Sequence, residues 1–302
     1  MEDLLLVASA GFCASLVDGA LGMGFGPTSS SILLGTGLSP TSVSTTVNLA
    51  KVATGIAAAI SHWRFRNIDH RLVLKLAIPG SIGALIGVTI LSNVDAAVVK
   101  PALAVLLVVI GLRILWRFSQ PVTAKAEEFE DLEGDPDAMP PFDDRGVELV
   151  ATAGGVTNGM IGAWGPVVTP FLMGRDLAPR FAVGSVNTAE VAVAAMSVTS
   201  LLAAVGKGDL DIGIVLAMLA GGILAAPVAA WAVRHIPARP MGVAVGGLLL
   251  LTNARELSSA GDLGSARWLA YGLVATLVAL AALRPRLATG APSAATAATA
   301  TS

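Results

Sequence analysis

Gly19-Ala-Leu-Gly-Met-Gly-Phe-Gly26-Pro27 decides how this chain is read, because a glycine-rich run closing on Gly-Pro interrupts an otherwise apolar stretch, residues 4–35. Glycine weakens a helix interior, and proline loses no hydrogen bond only in a helix's first turn. One helix therefore ends at the glycines and another begins at Pro27. A second run, Gly159-Met-Ile-Gly-Ala-Trp-Gly165-Pro166, breaks residues 147–174 in the same manner. The second piece of each stretch ends near Gly35 or Gly174. At 1.5 Å per residue it covers about 12 Å, less than half of a hydrocarbon core of about 30 Å, so it stops inside a membrane.

Composition makes the membrane the solvent. Of 302 residues, 54% are hydrophobic and only 13% charged, and the mean hydropathy is +0.76, far from the average of soluble domains. Seven further stretches have spanning length, at roughly 40–61, 72–92, 98–118, 178–205, 210–233, 238–254 and 267–283. A net charge of −2 leaves no basic footprint for nucleic acid. The lipid bilayer is the expected partner, and homo-oligomerisation is left open. The single cysteine, Cys13, excludes an intramolecular disulfide and any multi-cysteine metal site and reads as a small buried hydrophobe. His62 and His70 lack metal spacing and read as surface residues. No Ser/His/Asp or Cys/His constellation stands out, so no cofactor, metal or enzymatic activity is expected. The first residues lack a basic n-region and read as retained membrane sequence rather than a cleaved signal.

The chain repeats itself. An offset of 139 residues superposes Gly26 on Gly165, Pro27 on Pro166, Gly35 on Gly174, Pro40 on Pro179, Asn48 on Asn187 and Ser61 on Ser200. With a three-residue insertion, Asp69 then falls on Asp211 and Arg113 on Arg255. Matching loops carry opposite charge character: Arg64, Arg66 and Arg71 in the first half face Lys207, Asp209 and Asp211 in the second, whereas Asp95 faces Arg234, His235 and Arg239. Under the positive-inside rule the two halves are inverted, and both broken segments are re-entrant hairpins entering from opposite faces.

The expected fold is thus an all-α polytopic membrane protein of two inverted-topology repeats, each a re-entrant broken-helix hairpin plus three transmembrane helices, with one extra C-terminal transmembrane helix. Its segments are a first membrane repeat (1–118), an acidic cytoplasmic linker (119–146), a second repeat (147–257), the additional helix (258–286) and a disordered tail (287–302). The N-terminus lies outside and the C-terminus in the cytoplasm.

Irregular backbone at membrane depth survives only against protein or a water-filled cavity, so the two breaks should face each other. A half-helix starting there presents free N–H groups and the positive end of its dipole, which favour a small anionic substrate. The hinge residues are Gly22, Gly24 and Pro27 in the first break and Asn158, Gly162, Trp164 and Pro166 in the second. Gly26 and Gly165 open the half-helices. Thr46, Asn48 and Lys51 on one following helix, with Ser185 and Asn187 on its counterpart, complete the candidate binding set. Glu190, at the repeat position of Lys51, and Asp18, at the first break, are the coupling candidates, since ionisable groups at depth usually face a partner or a cavity. A static Lys51–Glu190 ion pair and asparagines serving as interhelical glue remain open beside this reading. Arg113 and Arg255 read as snorkelling anchors.

The breaks ending in Gly-Pro, the run Ser-His-Trp-Arg-Phe-Arg-Asn-Ile-Asp at 61–69 and the run Gly-Ser-Val-Asn-Thr-Ala-Glu at 184–190 resemble the TauE/SafE family of sulfite exporters, also called the toluene-sulfonate uptake permease family. The resemblance covers about residues 4–257. It implies export of sulfite, a sulfonate or a sulfoacetate-like anion by a secondary transporter, possible coupling to protons included. A lysine at position 51 departs from strict symmetry between the halves. A passive anion channel and a membrane-embedded sensor or assembly subunit are the alternatives.

Overall fold

A computed structural model describes residues 2–21, 24–120, 142–175, 177, 179–205, 211–235, 238–261 and 264–288. Gly22, most of the acidic linker, the charged loop at 206–210 and the C-terminal tail lie outside these residues. The chain is an all-α polytopic membrane protein. Its elements are α1 (Glu2–Leu21), α2 (Phe25–Gly35), α3 (Pro40–Arg64), α4 (His70–Asn93), α5 (Ala96–Ser119), α6 (Val147–Ile161), α7 (Gly165–Met173), α8 (Pro179–Val205), α9 (Ile212–His235), α10 (Ala238–Ala260) and α11 (Arg267–Ala288). Five of these helices are long and apolar enough to cross a bilayer among the described residues.

Local chemistry explains the boundaries. Gly24 (φ 144°) and Gly162 (φ 68°) adopt backbone conformations closed to most side chains, and these are the points where the two broken segments turn. Ser39 caps α3, accepting from Ser42 N at 3.1 Å, with Pro40 at the first helical position. Asp69 caps α4 and Asp211 caps α9, each accepting two backbone N–H bonds. Those two aspartates stand 142 residues apart in the sequence, and each begins a helix. At 11 and 9 residues, α2 and α7 reach only about 16 Å and 14 Å. The first arm of the first hairpin is longer than a half-helix: α1 has 20 residues. It is the short return arm, α2, that fails to cross.

Packing between the halves follows the exchange of equivalent elements. α1 lies along α9 and α6 along α4. In both pairs the residue numbers rise together: Gly11 meets Met218 and Ser15 meets Gly222, while Thr152 meets Gly83 and Val156 meets Gly87. The self-equivalent pairs run the other way. Along α3 and α8, Lys51 meets Glu190, His62 meets Asn187 and Asn67 meets Gly184. Along α5 and α10, Gly111 meets Leu249, Leu115 meets Gly246 and Phe118 meets Gly242.

Each hairpin returns to the end of the molecule it left. Leu4, Gly37, Leu38 and Gly213 border one cavity, which puts the start of α1 beside the α2–α3 turn. At the opposite end, Asp143 before α6 pairs with Arg175 after α7 at 2.5 Å, and Asp144 pairs with Lys75 of α4. Between these ends the hairpin tips touch: a Cβ on Gly26 would collide with the Gly162 carbonyl, and Ser30 Oγ donates to Ile161 O at 2.6 Å.

Trp164 closes the core beside the second tip, fully buried with its indole N–H donating to Val186 O at 3.2 Å. The perimeter is apolar, with Ile60, Leu74, Ile78, Leu224 and Leu269 all exposed. In water such a surface would aggregate, whereas in lipid it is the expected exterior. Cys13 is exposed rather than buried, which an apolar thiol tolerates when the surroundings are lipid.

Close helix approach depends on small residues, because helices in lipid associate through packing. A Cβ on Gly83 would strike the Thr152 carbonyl and one on Gly221 the Ala8 carbonyl, while Gly272 on α11 has open space around it. Gly83→Val and Gly221→Val are expected to destabilise by at least about 1–3 kcal/mol each. Gly272→Val should leave the thermal unfolding midpoint in detergent unchanged.

Candidate functional site

Where the hairpin tips meet, α3 contributes a lysine and α8 a glutamate, and the buried ammonium of Lys51 organises the surroundings. Its side chain is 7% exposed and pairs with Glu190, which is 17% exposed. Its Nζ also donates to Gly162 O at 2.5 Å and to Asn158 Oδ1 at 3.2 Å. An ammonium has three donors, and all three are taken. Two acceptors are fixed by α6: Asn158 projects from its last turn, and Gly162 follows its end, where unpaired carbonyls and the helix dipole favour a cation.

The first tip is closed by a second carboxylate. Asp18 accepts the backbone N–H of Phe25 at 3.2 Å, across the break between α1 and α2. It therefore occupies the positive end of α2, where an external anion would otherwise bind. No side chain caps α7. Asp18, Gly24, Gly26, Pro27, Lys51, Gly162, Gly165, Pro166, Asn187 and Glu190 border one cavity of about 10 Å³. That is room for about one water molecule, so in this conformation the centre is occluded.

Several candidates hold this centre in place without bordering it. Asn48 is fully buried and forms a reciprocal pair with Asn158: Asn48 Nδ2 donates to Asn158 O at 3.1 Å, and Asn158 Nδ2 donates to Asn48 Oδ1 at 2.7 Å. Ser44, one turn earlier, donates to Gly159 O at 2.7 Å. Ser197 accepts from Asn158 Nδ2 at 3.1 Å. These bonds tie α3 and α8 to the second hairpin. Neither Ser44 nor Ser197 was among the sequence candidates; their signal is a hydroxyl on the same helical face as Asn48 or Glu190. Thr46 is buried away from the cavity. Ser185 sits at the α3–α4 turn, accepting Asp69 N at 3.0 Å. Trp164 packs in the core behind the tip. Gly22 lies outside the described residues. Asn187 borders the cavity, with its amide 3.5 Å from His62 Nε2, so His62 faces α8 rather than only the surface. Two hydroxyls on the short arms, Thr28 Oγ1 and Thr169 Oγ1, are buried without a partner among the described residues.

Two broken helices that meet over a buried, fully paired charge inside a polytopic bundle define a membrane transporter. The family comparison agrees: residues 7–255 match the model described as sulfite exporter TauE/SafE, and the chain belongs to that family. It is also similar to the probable membrane transporter protein YtnM of Bacillus subtilis (strain 168), at 38% identity over 258 residues, covering 85% of this chain and 83% of that relative. No solved structure matches.

Removing one member of a buried ion pair leaves the other charge uncompensated, at a cost of about 3–5 kcal/mol. Lys51→Met is therefore expected to lower the thermal unfolding midpoint clearly. Lys51→Met/Glu190→Gln, which removes both charges, should recover most of that loss. Equal midpoints for the single and double variants would show that the pair does not stabilise the fold.

Proposed function

We propose that the chain exports a small sulfur-containing anion, of the sulfite, sulfonate or sulfoacetate class, across the cytoplasmic membrane by alternating access. The halves act as inverted repeats, with the N-terminus outside and the C-terminus in the cytoplasm; the charge difference between matching loops supports this orientation. The observation that carries the reading is the complete occupation of Lys51. A buried ammonium with every donor taken by the protein can bind an anion only by giving up an internal partner. The partner able to leave is Glu190, because the other two acceptors belong to α6.

Two positive features of the centre are thus covered by internal carboxylates, Lys51 by Glu190 and the start of α2 by Asp18, while the start of α7 carries no side-chain cap among the described residues. Protonating Glu190 weakens its hold on Lys51 and frees one donor for the substrate. Losing that proton on the other side restores the pair and expels the anion. Asp18 stands in the same relation to the N–H groups of α2. In this cycle the carboxylates mimic substrate when substrate is absent, and the proton binds and leaves together with the anion. The family description supports the sulfur chemistry, and the pairing of α3 with α8 supports movement of one half against the other.

The test is sulfite flux in proteoliposomes. Wild type should show saturable, counter-transportable flux that responds to an imposed pH gradient. Lys51→Ala should weaken anion binding roughly 10- to 100-fold, the loss of one charge-assisted hydrogen bond. Glu190→Gln, fixed in the protonated form, should keep binding yet lose the response to the pH gradient. Unitary currents would replace the carrier with a channel. PH-independent wild-type flux, or Glu190→Gln behaving as wild type, would remove the coupling role.

A further inference from the structure

A second basic site lies between α5 and α7. Arg113 and Arg117, one helical turn apart on α5, border a cavity of about 350 Å³ together with Pro166, Pro170 and Met173 of α7. Arg117 Nη2 reaches Met173 Sδ at 3.1 Å, and a thioether is only a weak acceptor. Among the described residues neither guanidinium meets a carboxylate. Arg113 is exposed and Arg117 half-buried, and both border the cleft between α5 and α7. The cleft leads somewhere specific, because Pro166 is a wall of this cavity and of the occluded centre at Lys51.

The matching seam in the other half is α2 against α10, and it is closed. Ser31 Oγ lies 2.5 Å from Thr252 Oγ1, and Asn253 Nδ2 donates to Ser31 Oγ at 2.8 Å. One seam thus holds a cavity lined by Arg113 and Arg117, and its counterpart, where Arg255 stands at the repeat position of Arg113, is bridged by hydrogen bonds.

We propose that the α5–α7 cavity is the cytoplasmic vestibule of the anion path, in which Arg113 and Arg117 collect the substrate oxyanion before it passes Pro166 to the centre. The site rests on the transport reading above. It takes a small oxyanion such as sulfite, bound by guanidinium N–H donors, and it raises local anion concentration while the outer seam stays shut.

Sulfite flux is measured with substrate presented at the cytoplasmic face, in vesicles of neutral lipid and in vesicles containing anionic lipid. Arg113→Gln/Arg117→Gln should raise KM roughly three- to tenfold with little change in maximal rate, in both lipids. Wild-type KM should rise with ionic strength, and the double variant should lose that dependence. Arg267→Gln, at the start of the remote α11, should behave as wild type. An unchanged KM in the double variant, with wild-type flux intact, overturns the vestibule and leaves the transport reading standing. A KM effect seen only with anionic lipid assigns the arginines to lipid headgroups and also overturns it. Absence of wild-type flux overturns both.

Discussion

Everything central in this fold is arranged around one buried ammonium. Lys51 sits where water is excluded, and a lone charge there would be costly. The chain surrounds it with acceptors from three places: a carboxylate on α8, a side-chain amide near the end of α6 and the carbonyl of Gly162. The last of these has no helical donor of its own, because the residue four positions on is Pro166, which carries no N–H, so the broken end of α6 supplies a ligand for the cation. The break in turn needs support, and Asn48, Ser44 and Ser197 provide it by bonding the polar groups near the end of α6. The backbone carbonyls of Asn158 and Gly159 are thus bonded by Asn48 and Ser44 of α3, as the absence of water demands.

The consequences reach the periphery through glycine. For the two tips to meet, Gly26 must lie against Gly162 with no intervening Cβ. For α6 to bring its end to Lys51, it must lie close along α4, and Gly80, Gly83, Gly87, Gly155 and Gly159 make up that seam. A fold that brings two broken helices together at its centre therefore commits much of its glycine to positions remote from that centre.

The coarse architecture could be read from the sequence because its signals are local. Gly-Pro junctions mark helix starts wherever they occur, and hydropathy marks spanning helices without knowledge of their neighbours. The equivalence of Lys51 and Glu190 was legible from register alone, although register says nothing of contact. Partnerships formed over long sequence separation were not legible. Asn48 and Asn187 look alike as repeat equivalents, yet Asn48 bonds to Asn158 and is fully buried, while Asn187 borders the cavity beside His62. Ser185 had the same standing in sequence as Thr46 and sits at a helix turn instead. Arg113 illustrates the same limit from the other side. Its place near a helix end suggests an anchor, and only the three-dimensional fold shows that it borders a cavity beside Pro166 and Pro170 of α7.

The asymmetry between the two seams bears on what direction can mean in such a protein. Arginines at one mouth speed capture there and lower the concentration needed for half-saturation, but a fixed charge acts equally on arrival and departure. It therefore cannot set the direction of net flow, which depends on the gradients to which binding is coupled. Direction must come from a group whose charge differs between the two sides of the cycle. On the transport reading proposed above, the groups at the centre that meet this condition are the carboxylates Glu190 and Asp18. Capture and coupling are accordingly separable in the structure. In the proposed cycle the basic residues at the mouth govern how readily the anion enters, and the acidic residues at the centre tie its movement to that of a proton.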